Sequence, residues 1–385
     1  MFWRIVGACF TFGMLVTSSA VMAADGRILL GAVYNLSGPQ AAFDQPSLRG
    51  AELALARANA EGGVLGRKVE LVIADPESSL ERAAAATSEL IEAHPSVSAL
   101  LGLSDTDMVL AAAPVAADHR LVFVTSGATS PKLTAQVPKH LLLACFGDNV
   151  QAAAAAEYAY HDLAARTVSI LYNSATTYTT LLQEYFRARF EELGGKVVAA
   201  RSYGATADQD TALAGFPAAD VVFLSAQQPA EAAAGIAGLR QAGIEVPILG
   251  GDGFDSEDEW SKHPDLSDVY FTTHVWLAPD NPDPVVGAFD DAYRRAYGRR
   301  APDGFAALGY DAVGVLLAAI EAGGSAEPDH VLATLAQLED YRGVTGTISY
   351  EGDSRIPKKS VTIIEVRSGT TAFVKQLMPE RVPAP

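Results

Sequence analysis

The sequence is poor in cysteine, with Cys9 and Cys145 as its two cysteines among 385 residues. Cys9 falls in an N-terminal segment that we expect to be removed, which leaves one cysteine in the mature chain. One cysteine excludes an internal disulfide and cannot form a zinc site by itself. Cys145 stands in the apolar run LLLACF and is interpreted as a buried structural thiol. The fold must therefore rest on its hydrophobic core.

Positive charge is also scarce, since 28 lysines and arginines stand against 46 aspartates and glutamates, for a formal net charge of −18. So acidic a chain is a poor partner for nucleic acid or for an anionic membrane surface. The sequence also lacks a G-x-S-x-G elbow, a P-loop and histidines paired at helical metal spacing. We therefore expect no enzyme, no cofactor and no metal site, although Asp105, Asp107 and Asp252 could imitate an acid/base pair. His274 follows a predicted strand and is interpreted as structural.

Long hydrophobic runs are absent after the N-terminal segment. In Met1–Ala23, Arg4 precedes the apolar run IVGACFTFGMLV, and Val21-Met22-Ala23 supplies small residues at a cleavage site. This order is typical of a signal peptide, and the apolar run is too short for an ordinary transmembrane helix. We therefore expect an exported, soluble protein that is cleaved near Ala23.

Strand and helix patterns alternate along the mature chain. Buried strands are predicted at 27–34, 69–74, 97–102 and 121–125, and then at 167–172, 197–200, 221–224, 247–250 and 269–273. Helical patterns separate most of these strands, which favours parallel sheets with helices on both faces. Helices at 284–297, 305–321 and 329–338 precede two last strands, at 346–350 and 361–366.

These elements predict an α/β fold with two doubly wound α/β lobes joined by a multi-strand hinge. The late helices suit a chain that returns to complete its first lobe. We expect residues 25–145 plus 276–345 in the N-terminal lobe and residues 146–275 plus 346–380 in the C-terminal lobe. Two lobes joined in this way can close around a ligand.

Two successive strand-to-helix turns carry candidate binding residues. The strand at 97–102 leads to Asp105 and Thr106, and the strand at 121–125 leads to SGATS, which contains Gly127, Ala128 and Thr129. A helix N-terminus offers unpaired N–H donors and partial positive charge, which suit a carboxylate. One such turn alone is better explained as an ordinary turn, with Thr106 as an N-cap. Two in succession favour a site for an anionic group.

The second lobe offers polar residues of the opposite kind. In parallel α/β sheets, ligands bind at the carboxyl ends of the strands, and Tyr178, Gln227 and Asp252 follow strands of the second set. Asp252 could pair with an ammonium group, so the whole arrangement is complementary to a zwitterion. The alternatives are that Asp252 is an Asp-Gly turn residue and that Tyr178 is a core aromatic.

The sequence resembles the leucine/isoleucine/valine-binding family of periplasmic receptors for ABC transporters, which are type I periplasmic binding proteins. The resemblance covers essentially the whole mature chain. Its marks are Leu36-Ser37-Gly38-Pro39, Asn59 with Gly62-Gly63 and Gly66, Ala111-Ala112-Ala113-Pro114, Thr125–Leu133 and Tyr310-Asp311-Ala312. Their order and spacing, more than any single mark, carry the resemblance.

The resemblance implies roles for individual residues. A hydroxyl at Thr106 would bind the ligand carboxylate, Gly127 and Thr129 would bind its carboxylate and ammonium groups, Asp252 would bind the ammonium, and Tyr178 would close from the second lobe. Phe43 and Phe254 would make the pocket partly apolar. The expected ligand-binding residues are Phe43, Asp105, Thr106, Gly127, Ala128, Thr129, Tyr178, Gln227 and Asp252.

The resemblance also implies a function. We expect a monomeric periplasmic receptor that captures a branched-chain or related apolar amino acid and delivers it to a membrane permease. Alternatives are a ligand sensor or regulator on the same fold, and binding of an amide, a urea or an aromatic acid. Asp107 stands where the family often has a small or hydroxyl residue, and Gln227 where an aromatic is common. The disulfide of the leucine-binding members cannot form here.

Overall fold

The structure of the protein is a computed structural model that describes residues 26–204, 208–350 and 354–385. The signal peptide expected at 1–23 lies outside the described residues. Strands and helices are numbered below in chain order.

The first lobe is built on a five-stranded sheet with the order β2-β1-β3-β4-β5, in which all neighbours are parallel. This confirms the parallel α/β pattern predicted for this part of the chain. The strands are β1 (Ile28–Val33), β2 (Val69–Ala74), β3 (Val97–Gly102), β4 (Phe123–Thr125) and β5 (Leu141–Leu143), and the helices between them are α1 (Ala41–Ala60), α2 (Leu80–Ala93), α3 (Thr106–Asp118) and α4 (Leu133–Gln136).

The chain then builds most of the second lobe. Its helices are α5 (Asp148–Glu157), α6 (Thr177–Glu192), α7 (Gln209–Leu213), α8 (Pro229–Gln241) and α9 (Glu257–Trp260). One turn of π-helix continues α5. Its strands are β6 (Thr167–Asn173), β7 (Lys196–Tyr203), β8 (Val221–Ser225), β9 (Ile248–Gly250) and β10 (Val269–Thr273). These strands pair in parallel, as predicted.

The remaining elements return to the first lobe and then complete the second sheet. They are α10 (Pro284–Tyr297), α11 (Gly304–Gly323), α12 (Pro328–Leu335), the hairpin of β11 (Tyr341–Gly343) and β12 (Gly346–Ile348), and then β13 (Val361–Arg367) and β14 (Thr370–Leu377). The second sheet has the order β14-β13-β10-β9-β8-β6-β7. β13 is antiparallel to β10, and β14 is antiparallel to β13. The sequence patterns missed β5, β11 and β14.

The chain passes between the lobes three times: after β5, after β10 and after Tyr350. Ile348 and Tyr350 pack in the core of the first lobe.

The first sheet is buried on both faces. Along β3, Ala99 and Leu101 point into one core, which contains α1 and α11, whereas Leu100 points into the core on the opposite face. Helices on both faces explain why the strand is apolar apart from Ser98 rather than alternating. The sheet is therefore rigidly packed up to the residues where its strands end.

Local sequence explains where several helices begin and end. In α10, Pro284 occupies the first turn, the side chain of Asp283 accepts from the backbone N–H of Val285, and Gly298 ends the helix in the left-handed region at φ 71°. In α11, Asp303 caps the first turn, and Gly324 ends the helix at φ 63°.

By length and composition, α11 could cross a membrane, but 72% of its most apolar window is buried inside the protein. It is the core helix of the first lobe and packs against α1. The two backbones meet at glycines, because a Cβ at Gly50 or at Gly309 would lie 1.8 Å from a backbone oxygen of the other helix. This contact holds the returning chain against the first sheet.

Gly309→Ala should therefore destabilise the protein. The added methyl group would force α1 and α11 apart, and overpacking of this kind typically costs about 1–3 kcal/mol of unfolding free energy. Gly287→Ala is the matched control, because Gly287 is exposed on α10 and nothing lies within 4 Å of the added methyl group. Alanine is also the better helix former, by up to about 1 kcal/mol. Urea unfolding of both variants measures the difference. Equal stability of Gly309→Ala and wild type would contradict the close helix contact.

Candidate functional site

Asp105 holds the turn between β3 and α3. Its Oδ1 accepts a hydrogen bond from the backbone N–H of Met108 at 2.8 Å, which makes Asp105 the N-cap of the helix. The alternative that Thr106 is the N-cap is therefore wrong. Thr106 is the first helical residue, its side chain is buried, and its hydroxyl oxygen has no hydrogen-bond partner among the described residues. A buried polar group of this kind is available to a ligand.

The turn after β4 lies beside the turn after β3. The hydroxyl of Thr125 donates to the carbonyl oxygen of Leu103 at 2.8 Å and accepts from the backbone N–H of Ala128 at 3.1 Å. A Cβ at Gly127 would lie 2.8 Å from the ring of Phe305, so a larger residue would displace this ring. The structure thus brings the two predicted turns together at one edge of the first sheet.

Thr129, in the turn after β4, forms a hydrogen bond with the second lobe. The carbonyl oxygen of Thr129 accepts from the backbone N–H of Asp148, the first residue of α5, at 2.7 Å. Thr129 and Asp148 are both buried. The first crossing of the chain therefore lies directly against the predicted binding turn.

Asp252, in the second lobe, is the centre of a buried hydrogen-bond network. Its Oδ1 accepts from the hydroxyl of Tyr178 at 2.8 Å and from Nε2 of Gln151 at 2.9 Å. Its Oδ2 lies 3.0 Å from Nε2 of His274. The interpretation of Asp252 as an ordinary turn residue does not account for these three partners, and Tyr178 uses its polar tip here rather than serving as a plain core aromatic.

Gln151 joins Asp252 to a second carboxylate. Its Nε2 also donates to Oδ1 of Asp148 at 3.1 Å, and its Oε1 accepts from the hydroxyl of Thr272 at 2.7 Å. Oδ2 of Asp148 is buried and has no hydrogen-bond partner among the described residues. Two carboxylates therefore lie close together at the start of α5 and the end of β9.

Burial governs the charge state of this network. Burial and the nearby charge of Asp252 raise the pKa of Asp148 to about 8. Burial also lowers the pKa of His274, although the hydrogen bond to Asp252 opposes this shift. His274 is stacked on Phe146 at 3.9 Å between ring centroids. We therefore assign a neutral imidazole that donates from Nε2, so no described side chain of the network carries a positive charge at neutral pH.

Side chains from the two lobes also meet across the cleft. Oδ2 of Asp105 accepts from Nε2 of Gln227 in the second lobe at 2.7 Å and from Nε2 of Gln40 in the first lobe at 3.2 Å. Asp107 accepts from the backbone N–H and the hydroxyl of Thr177 at the start of α6. Asp107 and Gln227, the two departures from the family pattern, both take part in these contacts.

The aromatic residues do not all lie where the sequence suggested. Phe43 lies on α1 and packs on Phe305 at 4.4 Å between ring centroids, beside Gly127. Phe254 instead lies in the core of the second lobe, under Gly250 and against Trp260. The expectation that Phe254 lines the pocket is therefore wrong, because its ring fills the space beneath the end of β9.

Sequence reasoning missed Asp148, Gln151 and His274 as parts of the site. A signal for the first two was present, because Asp148 and Gln151 follow β5 just as the predicted residues follow the other strands. His274 follows β10, but its contact with Asp252 depends on the packing of the second crossing.

A family model described as periplasmic binding protein matches residues 27–371. The chain belongs to the periplasmic binding protein family. The Leu/Ile/Val-binding protein BraC3 of Rhizobium johnstonii is 26% identical to this binding protein over 351 residues, which cover 90% of this chain and 93% of the relative.

Solved structures agree with this family. The branched-chain amino acid transporter substrate binding protein LivJ of Streptococcus pneumoniae, in complex with isoleucine, superposes with a TM-score of 0.84 at 28% identity and covers 92% of this chain and 100% of its own. A solute binding protein of R. palustris in complex with benzoate has a TM-score of 0.80 at 20% identity, with 93% and 98% covered, which shows the shared fold.

The two lobes contribute different groups to the candidate site of this binding protein. Across the described ranges, no group of three or more histidines, cysteines, aspartates or glutamates could hold a metal ion. The first lobe contributes a hydroxyl and a glycine-containing turn at strand ends. The second lobe contributes buried carboxylates that accept hydrogen bonds from neutral donors. These two sets can bind groups of opposite charge.

Asp148→Asn should make stability less dependent on pH. The pKa of Asp148 is raised in the folded state, so ionisation opposes folding, and this penalty grows as the pH rises from about 4 to about 8. The variant should therefore gain stability over wild type by at least about 2 kcal/mol between pH 5 and pH 8, since one unit of pKa is about 1.4 kcal/mol. Chemical unfolding at several pH values measures this difference. Asp118→Asn, on the exposed end of α3, controls for the loss of one charge. A constant difference across the pH range would contradict the assignment.

Proposed function

We propose that this protein is the solute-binding receptor of an ABC transporter. It captures a small amino acid between its two lobes and delivers it unchanged to a membrane permease. One observation carries the proposal: the buried, unpartnered hydroxyl of Thr106 lies at the edge of the first lobe, and the buried carboxylate of Asp252 lies at the edge of the second. The relatives, which are named for branched-chain amino acids, put leucine, isoleucine and valine first among the ligands to test.

The carboxylate of the ligand would bind to the first lobe. Thr106 supplies a hydroxyl at the start of α3, and the turn of Gly127, Ala128 and Thr129 supplies backbone N–H groups and a second hydroxyl. Helix N-termini and such turns favour a negative charge. Both turns end strands that are packed on both faces, so the donors are held in place before the ligand arrives.

The ammonium group of the ligand would bind to Asp252. Tyr178, Gln151 and His274 already orient this carboxylate, and none of these donors neutralises its charge. An ammonium group would supply the missing positive charge, and bonds of this kind are stronger than those between neutral groups. Tyr178, which reaches Asp252 from α6, would then cover the ligand.

Closure of the lobes would complete the site. We propose one lobe of residues 25–145 and 276–350 and another of residues 146–275 and 354–380, hinged at the three crossings. The contacts of Asp105 with Gln227 and of Asp107 with Thr177 would form on closure. Removal of water from the cleft strengthens the remaining electrostatic contacts. Because members of this family are periplasmic, the protein would act there, as a monomer, after cleavage near Ala23.

An aromatic acid is the second candidate ligand. The R. palustris protein of the same fold is described with benzoate, and the turns of the first lobe would suit any carboxylate. Benzoate has no cationic group, however, and would leave Asp252 without a counter-charge. A thermal-shift panel with leucine, isoleucine, valine and benzoate separates the two ligands, because a ligand at a hundred times its Kd adds about 2.7 kcal/mol to stability. Mass spectrometry of the recovered ligand tests whether it is released unchanged.

Asp252→Asn should weaken amino acid binding at least about tenfold. The substitution keeps the size of the side chain and an oxygen for Tyr178 but removes the charge, and a charge-assisted hydrogen bond contributes roughly 1.5–3 kcal/mol. Calorimetry with leucine and with 4-methylpentanoate, which lacks only the ammonium group, measures the effect. The loss should be confined to leucine. If both ligands lose affinity equally, Asp252 does not bind the ammonium group.

Saturating ligand should reduce the radius of gyration of the protein. The reduction follows from rotation of the lobes about the three crossings as the cleft closes. Small-angle scattering with and without ligand measures it. Thr106→Ala should need more ligand to reach the same contracted state. A radius that stays constant at saturation would exclude a large closure.

A further inference from the structure

Besides the turns of the first lobe and Asp252, the cleft has a third polar wall, which neither the carboxylate nor the ammonium group of an amino acid requires. It consists of Gln40, Asp105 and Gln227. Asp105 uses Oδ1 as the cap of α3, while Oδ2 accepts the amide groups of Gln40 and Gln227 from opposite lobes. Gln40 lies in the loop before α1, Asp105 lies after the end of β3, and Gln227 lies after the end of β8.

This wall lies next to the binding groups already described. Asp105 directly precedes Thr106, whose hydroxyl is buried and unpartnered. The backbone of Gln227 lies against Gly253, since a Cβ on this glycine would be 3.3 Å from the carbonyl oxygen of Gln227 and 3.3 Å from the hydroxyl of Tyr178. The third wall therefore spans the cleft between the proposed carboxylate site and the proposed ammonium site, where the ligand's side chain would lie.

The charge of Asp105 has no counter-charge in the protein. Within residues 26–204, 208–350 and 354–385, no lysine or arginine forms an ion pair with Asp105, Asp148 or Asp252, and His274 is assigned as neutral. Asp105 is only 5% exposed. Burial, with a smaller contribution from Asp107, raises the pKa of Asp105 to about 6. Buried carboxylates are unfavourable unless they are paired.

An apolar side chain would give the carboxylate of Asp105 no counter-charge. A branched aliphatic group would desolvate Oδ2 of Asp105 further and offer no hydrogen bond in return. A cationic group would instead supply both a charge and hydrogen-bond donors to Oδ2, and the side-chain oxygen of Gln40 could accept one of its remaining hydrogens, whereas that of Gln227 already accepts from the hydroxyl of Thr176 at 2.8 Å. Oε1 of Gln40 is buried without a hydrogen-bond partner among the described residues.

We propose that the ligand is an amino acid with a positively charged side chain, of the lysine or arginine type, whose charged end binds to Asp105 between Gln40 and Gln227. This inference rests on the proposed function, because it assumes that the cleft binds an amino acid. It replaces the branched-chain side chain expected from the resemblance with a basic one.

Two pairs of ligands that differ in charge test the proposal by calorimetry on the purified protein. L-norleucine matches L-lysine without its ammonium group, and L-citrulline matches L-arginine without its charge. Lysine or arginine should bind at least about tenfold more tightly than its neutral partner, as expected for one charge-assisted hydrogen bond. If both neutral partners bind as tightly as the charged ligands, or if leucine binds more tightly than either charged ligand, the proposal is overturned while the proposed function stands.

Asp105→Asn tests whether Asp105 binds the charged side chain of the ligand. Asparagine is an equally good N-cap through its single oxygen, so the fold is retained. Its amide group replaces Oδ2 opposite Gln40 and Gln227, so the readout is the ratio of the affinities for the charged and the neutral ligand and not either affinity alone. The preference for the charged ligand should fall about tenfold. Asp118→Asn, on the exposed end of the same helix, is the matched control for the loss of one charge, and its preference should stay within about threefold of wild type. An unchanged preference in Asp105→Asn would overturn the assignment of Asp105.

The outcomes also separate the two proposals. Binding of benzoate together with no binding of any basic or neutral amino acid would overturn the proposed function and this inference with it. Binding of neutral amino acids alone would overturn only this inference.

Discussion

The candidate site depends on the hydrogen bonds that the buried carboxylate of Asp252 accepts. It accepts hydrogen bonds from Tyr178 on α6, from Gln151 on α5 and from His274 after β10. A charge that is removed from water must be satisfied by donors, and here they come from three separate elements. The position of each element is therefore tied to the others at the edge of the second sheet. A ligand that binds Asp252 meets a group that is already oriented.

A second buried network holds the crossings between the lobes. Nζ of Lys359 donates to the carbonyl oxygen of Ala144 at 2.8 Å and to the hydroxyl of Thr345. Thr345 in turn donates to Asp311 on α11 at 2.6 Å from its hydroxyl and at 2.8 Å from its backbone. Burial lowers the pKa of Lys359 to about 8. The first and third crossings thus lie side by side against the core helix.

The sequence predicted most of the fold and part of the site. Most strands were apparent as apolar runs because strands buried on both faces carry mainly apolar residues, and Thr106, Gly127 and Asp252 could be selected because they follow such strands. The neighbours of these residues were harder to predict. Phe254 is as apolar as a pocket residue would be, and its place in the core depends on the packing beneath Gly250. Gln151 is an ordinary helix residue until the fold brings it 2.9 Å from Asp252.

The sequence by itself therefore determined the order of the elements, the parallel sheets and the type of residue at each strand end, because these follow from local periodicity and from burial. Only the tertiary structure decided which of these residues meet. Asp105 and Gln227 are 122 positions apart in the chain, yet their side chains lie 2.7 Å apart across the cleft. Such a contact depends on three crossings of the chain and on the packing of α1 against α11. Local patterns contain no information about these long-range distances, which the whole fold sets.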